Sequence, residues 1–251
     1  MTITISSDKR TSGALAARKG ASLINEAIAY KGFATIIVAT GASQFDMLEY
    51  LVREDIDWSK VEAFHLDEYI GISVFHSASF RKYLKERFVD KVGTLKRFNY
   101  IKGDAQDIEA EINRLSKMIQ GKQVDVAFVG VGENGHLAFN DPPADFENEQ
   151  PYLLVELDDA CRRQQLGEGW FSTLDDVPKQ AVSMGVKQIM KSNHIINTVP
   201  DRRKAKAVSC ALIGPVSGLC PASILQQHES CHWYLDRASA SLLPQDFVIP
   251  T

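Results

Sequence analysis

Ala34-Thr35-Ile36-Ile37-Val38-Ala39-Thr40-Gly41-Ala42-Ser43 is the stretch on which the fold turns. Its first six residues are apolar or β-branched on both sides of the two-residue alternation. The run is too short for a helix and too uniformly apolar for a half-exposed strand, so it predicts a strand buried in a parallel sheet. The last four residues make a tight small-residue turn, and a helical stretch follows. Upstream, Leu15, Leu23, Ile24, Ala27 and Ile28 recur at helical spacing across residues 14–30, with Gly32 as the stop.

The same unit repeats along the chain. Strands are predicted at residues 61–66, 98–101, 124–129, 194–199 and 232–235, with helices at 107–119 and 203–213 between them. Strands alternating with helices predict an α/β fold, a mostly parallel sheet with helices on both faces. No repeat, low-complexity block or linker divides residues 1–251, which are read as one domain.

Composition narrows the function. Of 251 residues, 45% are hydrophobic and 24% charged, the balance of a globular protein with a large core. The 28 basic against 32 acidic residues leave a net charge of −4, which gives no general attraction to nucleic acid or anionic membrane. An anionic substrate must therefore be held by local positive groups. Cys161, Cys210, Cys220 and Cys231 form neither a CxxC pair nor a zinc-like spacing, and no metal or redox motif is read from them. No signal peptide and no run of membrane-spanning length is present, which predicts a cytoplasmic address.

Ligands of open α/β sheets gather at the carboxyl ends of the strands, which directs attention to three loops. Thr40-Gly41-Ala42-Ser43 places glycine and a small residue between two hydroxyls at a strand-to-helix turn, where free backbone N–H groups can meet phosphate. Phe64-His65-Leu66-Asp67-Glu68-Tyr69 runs from strand into two carboxylates, groups suited to proton transfer or merely to capping the next element. Gly130-Val131-Gly132-Glu133-Asn134-Gly135-His136-Leu137-Ala138-Phe139-Asn140-Asp141 sets a histidine in a glycine-rich turn, between Asn134 and Asp141, which can orient its ring.

Together the three loops resemble the glucosamine-6-phosphate deaminase family, in which a T-G-G-T-type phosphate loop, an F-x-x-D-E-Y strand end and a G-V-G-x-D-G-H-x-A-F-N-E turn follow in this order. Lys204 after Val199-Pro200, and Pro221-Ala222-Ser223-Ile224-Leu225-Gln226, agree with it as well. The resemblance implies a modified Rossmann-like fold and conversion of an amino-sugar 6-phosphate and water into a ketose 6-phosphate and ammonia, with no metal or organic cofactor. It further implies that His136 protonates the ring oxygen, that Asp141 orients His136, and that Asp67 moves a proton between C2 and C1. Thr40, Gly41, Ala42, Ser43 and Lys204 would hold the phosphate. The implied partner is a small sugar phosphate. Family members include monomers and hexamers, so a homo-oligomer stays open.

Three positions depart from the family pattern. Asn134 stands where an aspartate is usual, and Asp141 where a glutamate is usual, which removes one carboxylate partner from the histidine. The arginine of the family's N-S-R-F-F has no clear equivalent in Arg162-Arg163-Gln164-Gln165-Leu166-Gly167-Glu168-Gly169-Trp170-Phe171: either Arg162, the candidate taken as a site residue, or Arg163 replaces the contact from upstream, or the substrate differs, or both arginines are surface charges. The rival readings are a 6-phosphogluconolactonase, a galactosamine-6-phosphate deaminase and a sugar-phosphate-binding regulator of little turnover. The lactonase pattern has D-E-R and D-G-H-T-x-S-L-F-P where this chain has Asp67-Glu68-Tyr69 and Asn134-Gly135-His136-Leu137-Ala138-Phe139-Asn140-Asp141.

Overall fold

The computed structural model describes residues 1–244 and 247. Strand β1 (Thr2–Ser6) leads into helix α1 (Lys9–Lys31), which Asp8 caps by accepting from the Thr11 N–H and which Gly32 ends at φ 85°. Then come β2 (Ala34–Val38), α2 (Phe45–Leu51), β3 (Val61–His65), β4 (Asp67–Tyr69), α3 (Phe80–Leu84), β5 (Arg97–Asn99), α4 (Ile108–Ile119) and β6 (Val126–Val129). The second half adds β7 (Tyr152–Glu156), α5 (Asp159–Gly167), β8 (Gln180–Met184), α6 (Val186–Met190), β9 (His194–Val199), α7 (Ala205–Ile213) and β10 (Cys231–Asp236).

Seven strands form one sheet in the order β1-β10-β9-β6-β2-β3-β5, every pairing parallel. Strand alternation divides its apolar side chains between two layers. Ile37, Phe64, Ala127, Ile195 and Trp233 pack with Leu115 and Ile119 of α4 and with α7, whereas Ile36, Val38, Ala63, Phe128 and Ile196 pack with α1 and α2. The α/β expectation with helices on both faces is met.

Chain direction across the sheet reverses at β2. From β2 the chain builds outward through β3 and β5, then returns to place β6 on the other side of β2. Loops leaving β2 and β6 therefore diverge and open a crevice between them, the usual ligand position in such sheets. A second sheet, β4-β8-β7, is antiparallel and pairs Asp67 with Ser183. The chain passes from one sheet to the other across Leu66, so Asp67 stands at the junction, beside the crevice. Among the described residues no helix is long and apolar enough to cross a membrane.

Candidate active site

The crevice holds a pocket lined by Thr40, Gly41 and Ser43 after β2, by Asp67, by Gly130, Gly132 and His136 after β6, by Gln164, Gln165 and Glu168, and by Lys204. Thus the first turn, the strand-end carboxylate and the histidine, read separately from sequence, meet in one place with the lysine that the resemblance implied. Ala42 lies in the turn without lining the pocket, and Asn134 and Asp141 lie behind His136.

The phosphate-type turn is fixed from below. Gly41 has φ 93°, a conformation that a Cβ would strain. The next turn buries Gln44, whose Nε2 donates to Ser43 Oγ at 3.1 Å and to the Thr198 carbonyl at 3.2 Å. This side chain ties the turn to the end of β9, a role that sequence reasoning missed because a lone glutamine carries no pattern.

Asp67 is 6% exposed and is pushed up to about 7, chiefly by burial and next by the adjacent Glu68; the Thr40 hydroxyl, donating at 3.3 Å, pulls the other way. A carboxyl poised near neutrality can both take and return a proton. Glu68 faces away, accepting from the N–H groups of Tyr69, Phe80 and Arg81 and from Ser79 Oγ, with Arg81 in ion-pair range. Tyr69 donates its hydroxyl to Gln165 Oε1 at 2.6 Å and so orients an amide of the pocket wall.

If Asp67 must be ionised for turnover, the acid limb of kcat follows its titration. Losing the Thr40 hydroxyl destabilises the anion, so Thr40→Val should move that limb upward by about half a pH unit, while Thr40→Ser leaves it in place. A pH–rate profile checks this, and a limb that stays fixed or moves downward contradicts it.

His136 is buried, and its Nδ1 lies 3.0 Å from Asp141 Oδ1. With Nδ1 so engaged, Nε2 is the nitrogen left for a substrate proton. The ring lies over Gly132, where any side chain would occupy the space of the imidazole. Asn140 anchors the turn by donating to the carbonyls of Leu137 and Met184. Burial pushes Asp141 up, but hydrogen bonds from His136 and Asn134 outweigh this and hold it below its usual value. His136, Asp141 and Cys161 each bring one donor atom within 4.8 Å of the others. Burial and the charge of Asp141 push the Cys161 thiol far up, and the imidazole–carboxylate pair already satisfies the other two, so this set does not fit a resident metal.

Lys204 sits in the short turn (Arg202–Lys204) between β9 and α7, is 4% exposed, and among the described residues its ammonium has neither a hydrogen bond nor an ion pair. Burial draws its pKa down, with Glu168 and Glu133 opposing. Arg203, next to it, is exposed and reaches Glu133 at 3.2 Å on the surface.

The expectation for Arg162 is corrected. Its guanidinium donates to the carbonyls of Leu174, at 2.6 Å, and Val177, at 3.1 Å, and does not line the pocket. A buried arginine must satisfy its donors, and here the main chain following α5 satisfies them. The wall that α5 offers the pocket is Gln164, Gln165 and, just beyond its end, Glu168, none of them anticipated as site residues.

A carboxylate poised near neutrality, a carboxylate-oriented imidazole and a buried free ammonium around one crevice define an acid–base site for a small anionic substrate. The chain belongs to the family described as glucosamine-6-phosphate isomerases/6-phosphogluconolactonase, whose profile matches residues 7–233. It is 35% identical to a glucosamine-6-phosphate deaminase of Streptococcus pyogenes serotype M1 over 222 residues, covering 88% of this chain and 92% of that protein. To the glucosamine-6-phosphate deaminase of Streptococcus agalactiae serotype III (strain NEM316) it is 34% identical, over 84% of this chain and 89% of the other. The solved structure of a monomeric glucosamine-6-phosphate deaminase superposes with a TM-score of 0.86 at 30% identity, covering 96% of this chain and all of that one (100%). A putative 6-phosphogluconolactonase from Neisseria gonorrhoeae FA 1090 shares the fold at a TM-score of 0.75 and 19% identity, over 94% of this chain and 99% of that one.

Proposed function

We propose that this protein opens, isomerises and deaminates a hexosamine 6-phosphate, converting glucosamine 6-phosphate and water into fructose 6-phosphate and ammonia. The observation that carries the reading is Lys204: a buried ammonium without a protein partner, on the same pocket as Asp67 and His136. The Lys204 stem is buried while its ammonium faces the pocket with no protein counterion, and a phosphate bound there supplies one. The deaminases of this family to which the chain is similar across most of its length support the same substrate class.

In this account Thr40, Gly41, Ala42, Ser43 and Lys204 hold the phosphate and set the sugar ring between two proton-transfer groups. His136, kept in one tautomer by Asp141, gives a proton from Nε2 to the ring oxygen and opens the pyranose. Asn134 holds that pair together. Asp67 removes the C2 proton and returns it at C1, leaving an imine at C2 that water hydrolyses to the ketone and ammonia. Residues 1–251 act as one domain in the cytoplasm, without metal or organic cofactor.

Initial rates on glucosamine 6-phosphate, galactosamine 6-phosphate and 6-phosphogluconolactone test the assignment. Ammonium release should be fastest from glucosamine 6-phosphate, and lactone hydrolysis should not exceed its uncatalysed rate. Faster lactone hydrolysis than ammonium release would replace this reading with the hydrolytic one.

A further inference from the structure

Asn134 does not line the pocket, yet its side chain meets two groups of the histidine turn and one at the start of α5. Its Oδ1 accepts from the His136 N–H at 3.0 Å. Its Nδ2 faces two carboxylates, Asp141 Oδ1 at 2.9 Å and Asp158 Oδ2 at 3.3 Å. An amide nitrogen carries two hydrogens, so it can donate to both at once. Asp141 Oδ1 is also the oxygen 3.0 Å from His136 Nδ1.

Asp158 joins from the other side. Its backbone N–H donates to Asp141 Oδ2 at 3.0 Å, and its Oδ1 accepts from the Cys161 N–H at 2.6 Å, which caps α5. Both oxygens of Asp141 are therefore held, one by His136 and Asn134 and the other by Asp158. The titratable groups around this joint are His136, Asp141, Asp158 and Cys161, and the thiol is kept protonated by its burial. The same joint ties the histidine turn to α5, which brings Gln164 and Gln165 to the pocket.

We propose that Asp158 is a positioning residue for His136, acting through Asn134 and Asp141, and that the Asn134 amide is the neutral bridge allowing two carboxylates to stand beside one imidazole. The proposal deepens the functional reading above by naming a further member of its acid–base machinery. An acid at position 134 cannot donate, and would press a third carboxylate against Asp141 and Asp158. The residue type at 134 and the presence of Asp158 are thus coupled.

The test compares Asn134→Asp, Asp158→Asn and the double variant by two readouts: kcat for ammonium release, and the titration of the Asp141 carboxyl followed by carbon-13 NMR. Asn134→Asp should lower kcat at least tenfold and move the Asp141 midpoint upward by about one pH unit. Adding Asp158→Asn removes one carboxylate and returns an amide N–H to the joint, and asparagine still caps a helix. The double variant should therefore recover several-fold of the lost kcat and bring the Asp141 midpoint back down. Losses that multiply in the double variant, or an Asp141 midpoint unmoved by Asn134→Asp, would overturn the proposal. If Asn134→Asp does not fold, Asn134→Ala removes the bridge without adding charge and should still raise the midpoint, and an unmoved midpoint overturns the proposal equally. The NMR readout needs no turnover, so a wrong substrate assignment would leave it standing.

Discussion

Asp67→Asn is expected to lower kcat about a thousandfold while making the folded protein more stable at alkaline pH. The kinetic loss follows from chemistry: an amide keeps the shape of the side chain but cannot accept the C2 proton, and general acid–base catalysis contributes roughly two to four orders of magnitude. The stability gain follows from linkage. Burial, reinforced by Glu68, lifts the Asp67 carboxyl from 3.8 to about 7 in the fold, so across that window the folded state binds more protons than the unfolded chain. The favourable contribution of the protonated acid is complete below the unfolded value and is lost as pH climbs through about 7. At pH 8 the native protein therefore carries a buried, ionised carboxylate at a cost on the order of 2–4 kcal/mol, which the neutral amide avoids. Thermal unfolding should show the variant several degrees more stable at pH 8 and less so at pH 5. Near-normal turnover would remove Asp67 from the mechanism, and a variant less stable at pH 8 would contradict the electrostatic account of the site.

Lys204→Met should raise KM for glucosamine 6-phosphate roughly 10- to 100-fold with a much smaller effect on kcat, the loss expected of one charge-assisted hydrogen bond to an anion. With glucosamine lacking the phosphate, variant and parent should be equally poor. The thermal midpoint should hold or rise, because methionine fills the buried stem while removing a charge that has no protein partner among the described residues. Equal proportional losses on both substrates would move Lys204 out of the phosphate site. A large drop in stability would mean that the ammonium is held by the fold itself.

Of the two residues, Asp67 stood out by its place at a strand end, whereas Lys204 was reached only through the family resemblance. The run Ala34 to Ala39 is apolar on both faces because β2 is an interior strand, between β6 and β3, of a sheet covered on both sides, and Gly41 stands where the backbone needs a positive φ. The histidine turn stood out because Gly132 leaves the space that the imidazole fills. Less legible was the antiparallel sheet of β4, β7 and β8: its strands are short and its partners far apart in the chain, so alternation alone does not pair Asp67 with Ser183. Arg162 was misread for a related reason. An arginine pair in a sequence does not reveal whether its donors will meet a ligand or main-chain carbonyls, and here they meet those of Leu174 and Val177. Asp158 gave no signal either, since capping a helix is the ordinary work of an aspartate at that position. Its second role depends on the side chain of Asn134, supplied by a different loop.

On the reading proposed above, the crevice between β2 and β6 carries out proton transfer on a phosphorylated amino sugar and does more than bind it. Stoichiometry measures this most directly: ammonium and fructose 6-phosphate followed together as the native protein consumes a known amount of glucosamine 6-phosphate. One ammonium and one fructose 6-phosphate for each substrate molecule consumed is the expected result. Saturable binding of glucosamine 6-phosphate with neither product formed would contradict the account and make the protein a sugar-phosphate receptor.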